Sequence, residues 1–188
     1  MVSGKNKQDK HFPLFAHDNP LRKLFTNPQK YCSYVKKGQK AADLGCGPGY
    51  FTLALAKTVG PEGRVYAVDS DEKAIRAVEK KAAKYEFHNI ETHAVSAANL
   101  SFIEDESVDF VLADGLLCSM APQDHEESIK EIKRILKPAR KAVLIAARGF
   151  ISHMGKVEWE EILKGFKVES RNYKALLDDR WAIVSKVT

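Results

Sequence analysis

The chain has 188 residues, 44% hydrophobic and 29% charged; against roughly 100 to 200 residues per domain, this predicts one core with little room for a second. That composition excludes fibrous, collagenous and wholly disordered chains, and no run approaches the roughly 18 consecutive apolar residues of a membrane span. The net charge of +5 divides unevenly: residues 1–40 hold nine Lys or Arg against two Asp, whereas residues 41–188 hold 21 against 23, so the basicity belongs to the amino-terminal arm and not to the body.

The opening MVSGKNKQDK is polar and basic with no apolar stretch behind it, unlike a secretory signal. Residues 1–18 read as a flexible basic leader; it could touch phosphate, although solvated lysines are the commoner explanation. Three scattered cysteines, Cys32, Cys46 and Cys118, make no disulfide framework, and a reducing cytoplasm is the expected setting. Asn19 before Pro20, and Asn27 before Pro28, each place a capping residue ahead of a proline suited to the first helical position, which predicts two short helices over residues 19–39 that end at Gly38.

From Lys40 the signals alternate. KAADL, RVYAVD, NIETHAV, VDFVLAD and KAVLIAA read as short apolar strands with helical stretches between them. Tyr50 to Val59 is expected as a helix closed by Gly60 and Pro61. Asp71 to Tyr85 places Ile75, Val78, Ala82 and Tyr85 on one face, and Gln123 to Leu136 does the same with Ile129, Ile132 and Leu136 before Pro138. Trp159, Ile162, Leu163 and Phe166 form a last helical stripe, and then FKVESRNYK and RWAIVSKV, joined by ALLDD, read as an antiparallel hairpin. Strands joined by crossover helices pair in parallel with helices on both faces. The predicted fold is therefore α/β: a Rossmann-like, doubly wound, mainly parallel seven-stranded sheet with an antiparallel carboxyl-terminal hairpin strand, formed by residues 40–188.

Between the first strand and the first helix of this sheet lies DLGCGPG, residues 43–49. Glycines at 45, 47 and 49 let bare backbone approach a ligand. The order is an acid followed by GxGxG, which differs from the dinucleotide fingerprint GxGxxG in its third glycine and in its leading carboxylate. Asp69 ends the second strand 20 residues beyond Gly49, where a carboxylate can accept both hydroxyls of a ribose. The alternatives are a strand-end turn cap for Asp43, a helix N-terminal charge for Asp69 and an ordinary tight turn for the glycines.

DLGCGPG, VDFVLAD, IKEIKRILKP and the terminal hairpin together resemble the class I S-adenosylmethionine-dependent methyltransferases, specifically the small single-domain members of the type 11/25 kind, over about residues 40–188. NPLRKLFTNPQKYCSYVKKG is also similar to the amino-terminal helices of small members. The resemblance implies S-adenosylmethionine as cofactor and S-adenosylhomocysteine as product. It implies that Asp43 holds the methionine ammonium directly or through water, that Gly45 and Gly47 pass their backbone close to the sugar and sulfonium, with Cys46 and Gly49 of the same loop also among the cofactor-binding residues, and that Asp69 reads the ribose. Ser70 and Asp71 would border the adenine, or else cap a helix.

The sequence departs from the family in three places. VSAANLSF stands where members usually read GDAxxLPF, so Ser96, helped by the Ala97 backbone, replaces the acid that contacts the adenine amino group; Ser96 could equally be a plain loop residue. ILKPARK replaces LKPGG, which predicts a rearranged turn at Ala139 and Arg140. In the acceptor loop ADGLLCSMA, Gly115 and Cys118 stand where related small-molecule enzymes carry an acid and a histidine, and the NPPY-like sequence of amino-group methylases does not occur.

The acceptor is expected beyond the fourth strand. Candidate bases are Asp114, also a candidate cofactor contact and equally explained as a strand-end turn residue, and His17 in the leader; His125 and His153 read as surface histidines. Cys32 and Cys118 could bind a soft metal, but without CxxC or nearby histidines two small buried residues are the better explanation, and no metal is expected. Aromatic residues Phe12, Phe15, Phe25, Tyr31 and Tyr34 could make residues 19–39 a lid, with packing on the sheet ranked first. The expected function is methyl transfer to a small-molecule acceptor by a cytoplasmic monomer or homodimer with no membrane partner. The alternatives are an RNA methyltransferase, since nucleic-acid contact is possible but not favoured, and a non-catalytic cofactor-binding partner subunit.

Overall fold

The computed structural model describes residues 28–146, 154–174 and 179–186. The strands are β1 (Lys40–Leu44), β2 (Arg64–Val68), β3 (Ile90–His93), β4 (Val108–Asp114), β5 (Leu136–Ala146), β6 (Lys167–Lys174) and β7 (Asp179–Ser185). They form one seven-stranded sheet in the order β3-β2-β1-β4-β5-β7-β6. The first five strands pair in parallel, and β7 runs antiparallel between β5 and β6. The predicted architecture and its terminal hairpin are both present. The order reverses at β1, so the loops after β1, β2 and β4 open on one edge of the sheet.

Period-two alternation divides the core into two layers. In β4, Val111 and Ala113 join the cluster that holds Leu44, Val68 and Leu144, while Phe110 and Leu112 join Ala41, Val65 and Val143. The first layer is covered by α5 (His125–Ile135) through Ile132 and Ile135, and by α6 (Lys156–Lys164) through Trp159 and Leu163. The second is covered by α1 (Gln29–Cys32) and α2 (Tyr50–Val59) through Cys32, Phe51 and Leu55. Helix α3 (Glu72–Lys84) packs Ile75 and Val78 beside the glycine loop. The short α4 (Leu116–Ser119) lies in the loop after β4.

Several predicted boundaries move. The second amino-terminal helix is only four residues long and ends at Cys32, not Gly38. Beyond it Tyr34 turns inward to stack on Phe110, with centroids 6.0 Å apart and planes 15° apart, and Val35 is buried. The leader with Phe12 and Phe15, the first predicted helix with Phe25, and the Asn27 cap of the second lie outside the described residues. Tyr85 is 55% exposed, not buried, because the chain leaves α3 there and Glu86 takes a φ of +57°; Phe87 packs against the core in its place. Leu136 belongs to β5, and a 3₁₀ turn at Pro122–Asp124 replaces the start of the helix predicted over Gln123 to Leu136. At the ARK sequence Ala139 takes a φ of +58°, a conformation that glycine favours. Arg140 points a nitrogen to within 3.4 Å of the buried Asp109 carboxylate, which Lys137 also reaches at 3.0 Å.

Candidate functional site

The loop after β1 is held by backbone geometry. The amides of Gly45 and Cys46 donate to the Val68 carbonyl at the end of β2, at 2.8 and 3.0 Å. Gly45 and Gly49 have φ of +73° and +85°. A Cβ at Gly49 would lie 3.0 Å from Val78 Cγ2, and one at Gly45 would lie 3.2 Å from Leu116 Cβ. The glycines are therefore required both by φ and by close contact with α3 and α4. Gly49 caps α2 in a left-handed conformation, and Lys81 of α3 donates from Nζ to the Pro48 carbonyl at 2.8 Å.

The second strand ends in Asp69, whose carboxylate spans two backbone amides. Oδ2 accepts from Gly47 N at 2.8 Å, and Oδ1 accepts from Asp71 N at 2.9 Å. Each oxygen retains lone-pair capacity for a ligand hydroxyl. Asp71 caps α3, accepting from Lys73 N at 2.8 Å, so the helix-capping alternative holds for Asp71. Ser70 is exposed beside them.

Asp43 lies 2% exposed at the base of the loop. Its Oδ2 accepts from the hydroxyl of Thr52, in the first turn of α2, at 2.6 Å. The positive end of the helix dipole favours a carboxylate there. The neighbouring Cys46 thiol is pushed well up by burial and then by the charges of Asp43 and Asp69, so it stays a neutral thiol in the loop wall. Burial also raises the Cys32 thiol, opposed by a hydrogen bond with Thr58 and aided by the Asp43 charge. Helix α1 itself packs on α2, with the Tyr31 ring edge-on to Phe51 at 5.7 Å between centroids.

The amide of Asp69 donates to the His93 carbonyl at 3.2 Å, which brings the end of β3 and the segment after it to the same edge. Ser96 is exposed there, with its hydroxyl accepting from Ala98 N at 3.2 Å and its carbonyl accepting from Asn99 N at 3.0 Å, while Ala97 is buried. Asp114 ends β4 opposite Ile145 of β5, and Gly115, at φ +75°, donates its amide to the Ile145 carbonyl at 2.9 Å. The Cys118 thiol donates to the Gly115 carbonyl at 3.1 Å, and this shapes the turn. Asp43, Gly45, Cys46, Gly47, Gly49, Asp69, Ser70, Ser96, Ala97 and Asp114 thus share the carboxyl edge of the sheet.

His125 is not a surface histidine: it is 9% exposed, with Nδ1 3.4 Å from Glu158 Oε1, because the chain entering α5 tucks its ring against the first turn of α6. Its Nε2 and the Trp159 Nε1 are the buried side-chain polar atoms without a partner among the described residues. His17 and His153 lie outside those residues. Also among them, no group of three or more His, Cys, Asp or Glu side chains could hold a metal ion, and no helix is long and apolar enough to cross a membrane. Sequence reasoning missed Thr52 and Lys81. The available signal for Thr52 was a hydroxyl three positions beyond the last glycine of the loop, in the helical turn that folds back over the strand carrying Asp43; Lys81 carried none.

A mainly parallel sheet with an acid and a glycine loop at its carboxyl edge defines the class as a Rossmann-like α/β domain. The family described as a methyltransferase domain matches residues 41–139, and the chain belongs to that family. It is 33% identical over 162 residues to a demethylmenaquinone methyltransferase of Lactobacillus johnsonii, covering 86% of this chain and 64% of the relative. It is 38% identical over 104 residues to the protein of the same name from Geobacillus stearothermophilus, covering 55% of this chain and 43% of that one. The chain therefore spans about half the length of such relatives. Among solved structures it is similar to an S-adenosylmethionine-dependent methyltransferase of Aquifex aeolicus, with a TM-score of 0.75, 24% identity and coverage of 93% and 97% of the two chains. A protein of Clostridium thermocellum described as a putative rRNA methylase gives 0.75, 22%, 91% and 97%. At these identities the two structures show the fold.

Proposed function

We propose that this chain is an S-adenosylmethionine-dependent methyltransferase acting on a small-molecule acceptor. The observation that carries the reading is the Asp69 carboxylate hydrogen-bonded to the amide of Gly47, a ribose-type acid joined directly to a loop whose glycines at 45 and 49 are fixed by positive φ and by close packing on Leu116 and Val78. A nucleoside fits this donor set. Asp69 accepts the ribose hydroxyls, Asp43 receives the ammonium of the amino-acid tail, and the Gly45–Gly47 backbone runs beside the sugar. Ser70, with Ser96 and Ala97 after β3, borders the base.

When bound, the cofactor supplies an electrophilic methyl group on a sulfonium. The chain's own residues orient it toward the space beyond β4, where Asp114 is the carboxylate of the acceptor loop. Alignment supplies much of the acceleration in such a displacement, and a base is needed only when the acceptor carries its proton. Segment 28–35 packs on α2 through Tyr31 and on β4 through Tyr34, which supports the packing role ranked first for it. The relatives' name refers to a small-molecule acceptor, and the three free cysteines suit a reducing compartment.

Calorimetric titration of wild type and Asp69→Ala with S-adenosylmethionine and S-adenosylhomocysteine tests the pocket. Micromolar binding, worth roughly 8 kcal/mol, should weaken by roughly 1.5 to 3 kcal/mol in the variant. Labelled methyl groups offered with a cell extract should then appear in the soluble fraction. Label in RNA would replace the small-molecule reading, and no binding by folded wild-type protein would remove the methyltransferase reading altogether.

A further inference from the structure

We infer that Thr52 is a positioning residue for the amino-acid tail of the cofactor: its hydroxyl sets the orientation in which the Asp43 carboxylate receives the tail's ammonium. This rests on the reading of Asp43 given above. The carboxylate is nearly fully buried at the end of β1, and rotation about its last side-chain bond has a broad, shallow profile. Something must select one orientation. Thr52 is fully buried and has a single proton to donate, and it gives that proton to Asp43 Oδ2 at 2.6 Å.

Threonine within a helix commonly donates instead to the carbonyl four residues back, as Thr58 of the same helix does to Ala54 at 2.8 Å. For Thr52 that carbonyl belongs to Pro48, which receives Lys81 Nζ. Lys81 and Thr52 therefore divide the work at this turn, the lysine holding the loop backbone and the hydroxyl holding the acid. The spacing from Asp43 to Thr52 carries strand, glycine turn and first helical turn, so the contact forms only once the loop has closed.

The test compares S-adenosylhomocysteine with 5′-methylthioadenosine, which keeps the adenosine and thioether and lacks the tail. In Thr52→Val, S-adenosylhomocysteine should bind roughly tenfold more weakly or worse, the range expected when one hydrogen bond to a charged group is lost, while methylthioadenosine stays within roughly twofold. Thr52→Ser should restore wild-type affinity. Decarboxylated S-adenosylmethionine, which keeps the ammonium and lacks the tail carboxylate, should weaken as S-adenosylhomocysteine does.

Equal losses on tailed and tailless ligands, no loss on either, or sparing of the decarboxylated ligand would each overturn the inference. Should Thr52→Val lose its near-ultraviolet circular dichroism, the Thr52→Ala and Thr52→Ser pair carries the same comparison. Asp43→Asn separates the two claims. If it leaves S-adenosylhomocysteine binding intact, the ammonium reading of Asp43 itself fails; if it weakens only tailed ligands while Thr52→Val does not, Asp43 stands and the role of Thr52 falls.

Discussion

The carboxylate of Asp69 receives the amide hydrogen of Gly47 at 2.8 Å, so the acid that ends the second strand and the glycine loop that follows the first strand are one unit. The same side chain also accepts from Asp71 at the start of the next helix. Asp69 therefore has a structural share as well as a ligand-binding one. Asp69→Ala leaves two amides unpaired and should lower stability by about 1 to 2 kcal/mol, read as a shifted urea midpoint in the absence of ligand. An unchanged midpoint would show that water replaces both bonds at no cost.

Ala139 occupies a left-handed conformation at φ +58° within β5. An L-residue there carries a steric penalty that glycine avoids, partly offset by glycine's greater freedom in the unfolded chain. Ala139→Gly should raise stability by about 0.5 to 1 kcal/mol, visible as a melting temperature a few degrees above wild type with ligand affinity unaltered.

The glycines of the loop should behave in the opposite way. A methyl group at Gly49 meets Val78 Cγ2 at 3.0 Å and must also accept φ +85°. Gly49→Ala should cost about 1 to 3 kcal/mol in thermal or urea denaturation. Gly45→Ala pushes on Leu116 of the acceptor loop, so its larger effect should be on cofactor affinity, measured in the same titrations at a temperature where the variant remains folded.

Arg134 holds the segment after Ser96 and Ala97. Its guanidinium donates to Glu131 at 2.7 and 2.9 Å, to the carbonyls of Leu100 and Ile103 at 2.8 Å each, and to Asp105 at 2.6 Å. The Arg134 hydrogen bond holds the Glu131 carboxyl below its ordinary value, opposed by partial burial and helped by the amide of Leu100 at 2.6 Å. A carboxyl depressed in the folded state contributes stability that is present above its unfolded value, about 4.3, and is lost as pH falls through the folded value. Urea midpoints should therefore hold from neutrality down to about pH 5 and fall below it, and Glu131→Gln should start lower at pH 7 and fall less steeply. Parallel acid limbs would remove Glu131 from the cause.

Periodicity and turn chemistry made the sheet legible before any coordinates. The alternation from KAADL to the terminal hairpin, the helix closed at Gly60 and the acid followed by GxGxG are all local signals, because burying one face of a strand or helix imposes its spacing on neighbouring residues. Distance in the chain hid the rest. That Tyr85 would be exposed, that His125 would be buried against Glu158 and that Ala139 would adopt a glycine-like backbone depend on which element packs where. The bonds from Thr52 to Asp43, from Gly47 to Asp69 and from Lys81 to Pro48 span 9, 22 and 33 residues. Composition and spacing by themselves determined an α/β sheet with an acid and a glycine loop at its carboxyl edge. Which oxygen of which acid is held, and by what, was decided only when the strands paired, since a hydrogen bond requires donor and acceptor within about 3 Å and no local pattern encodes that approach.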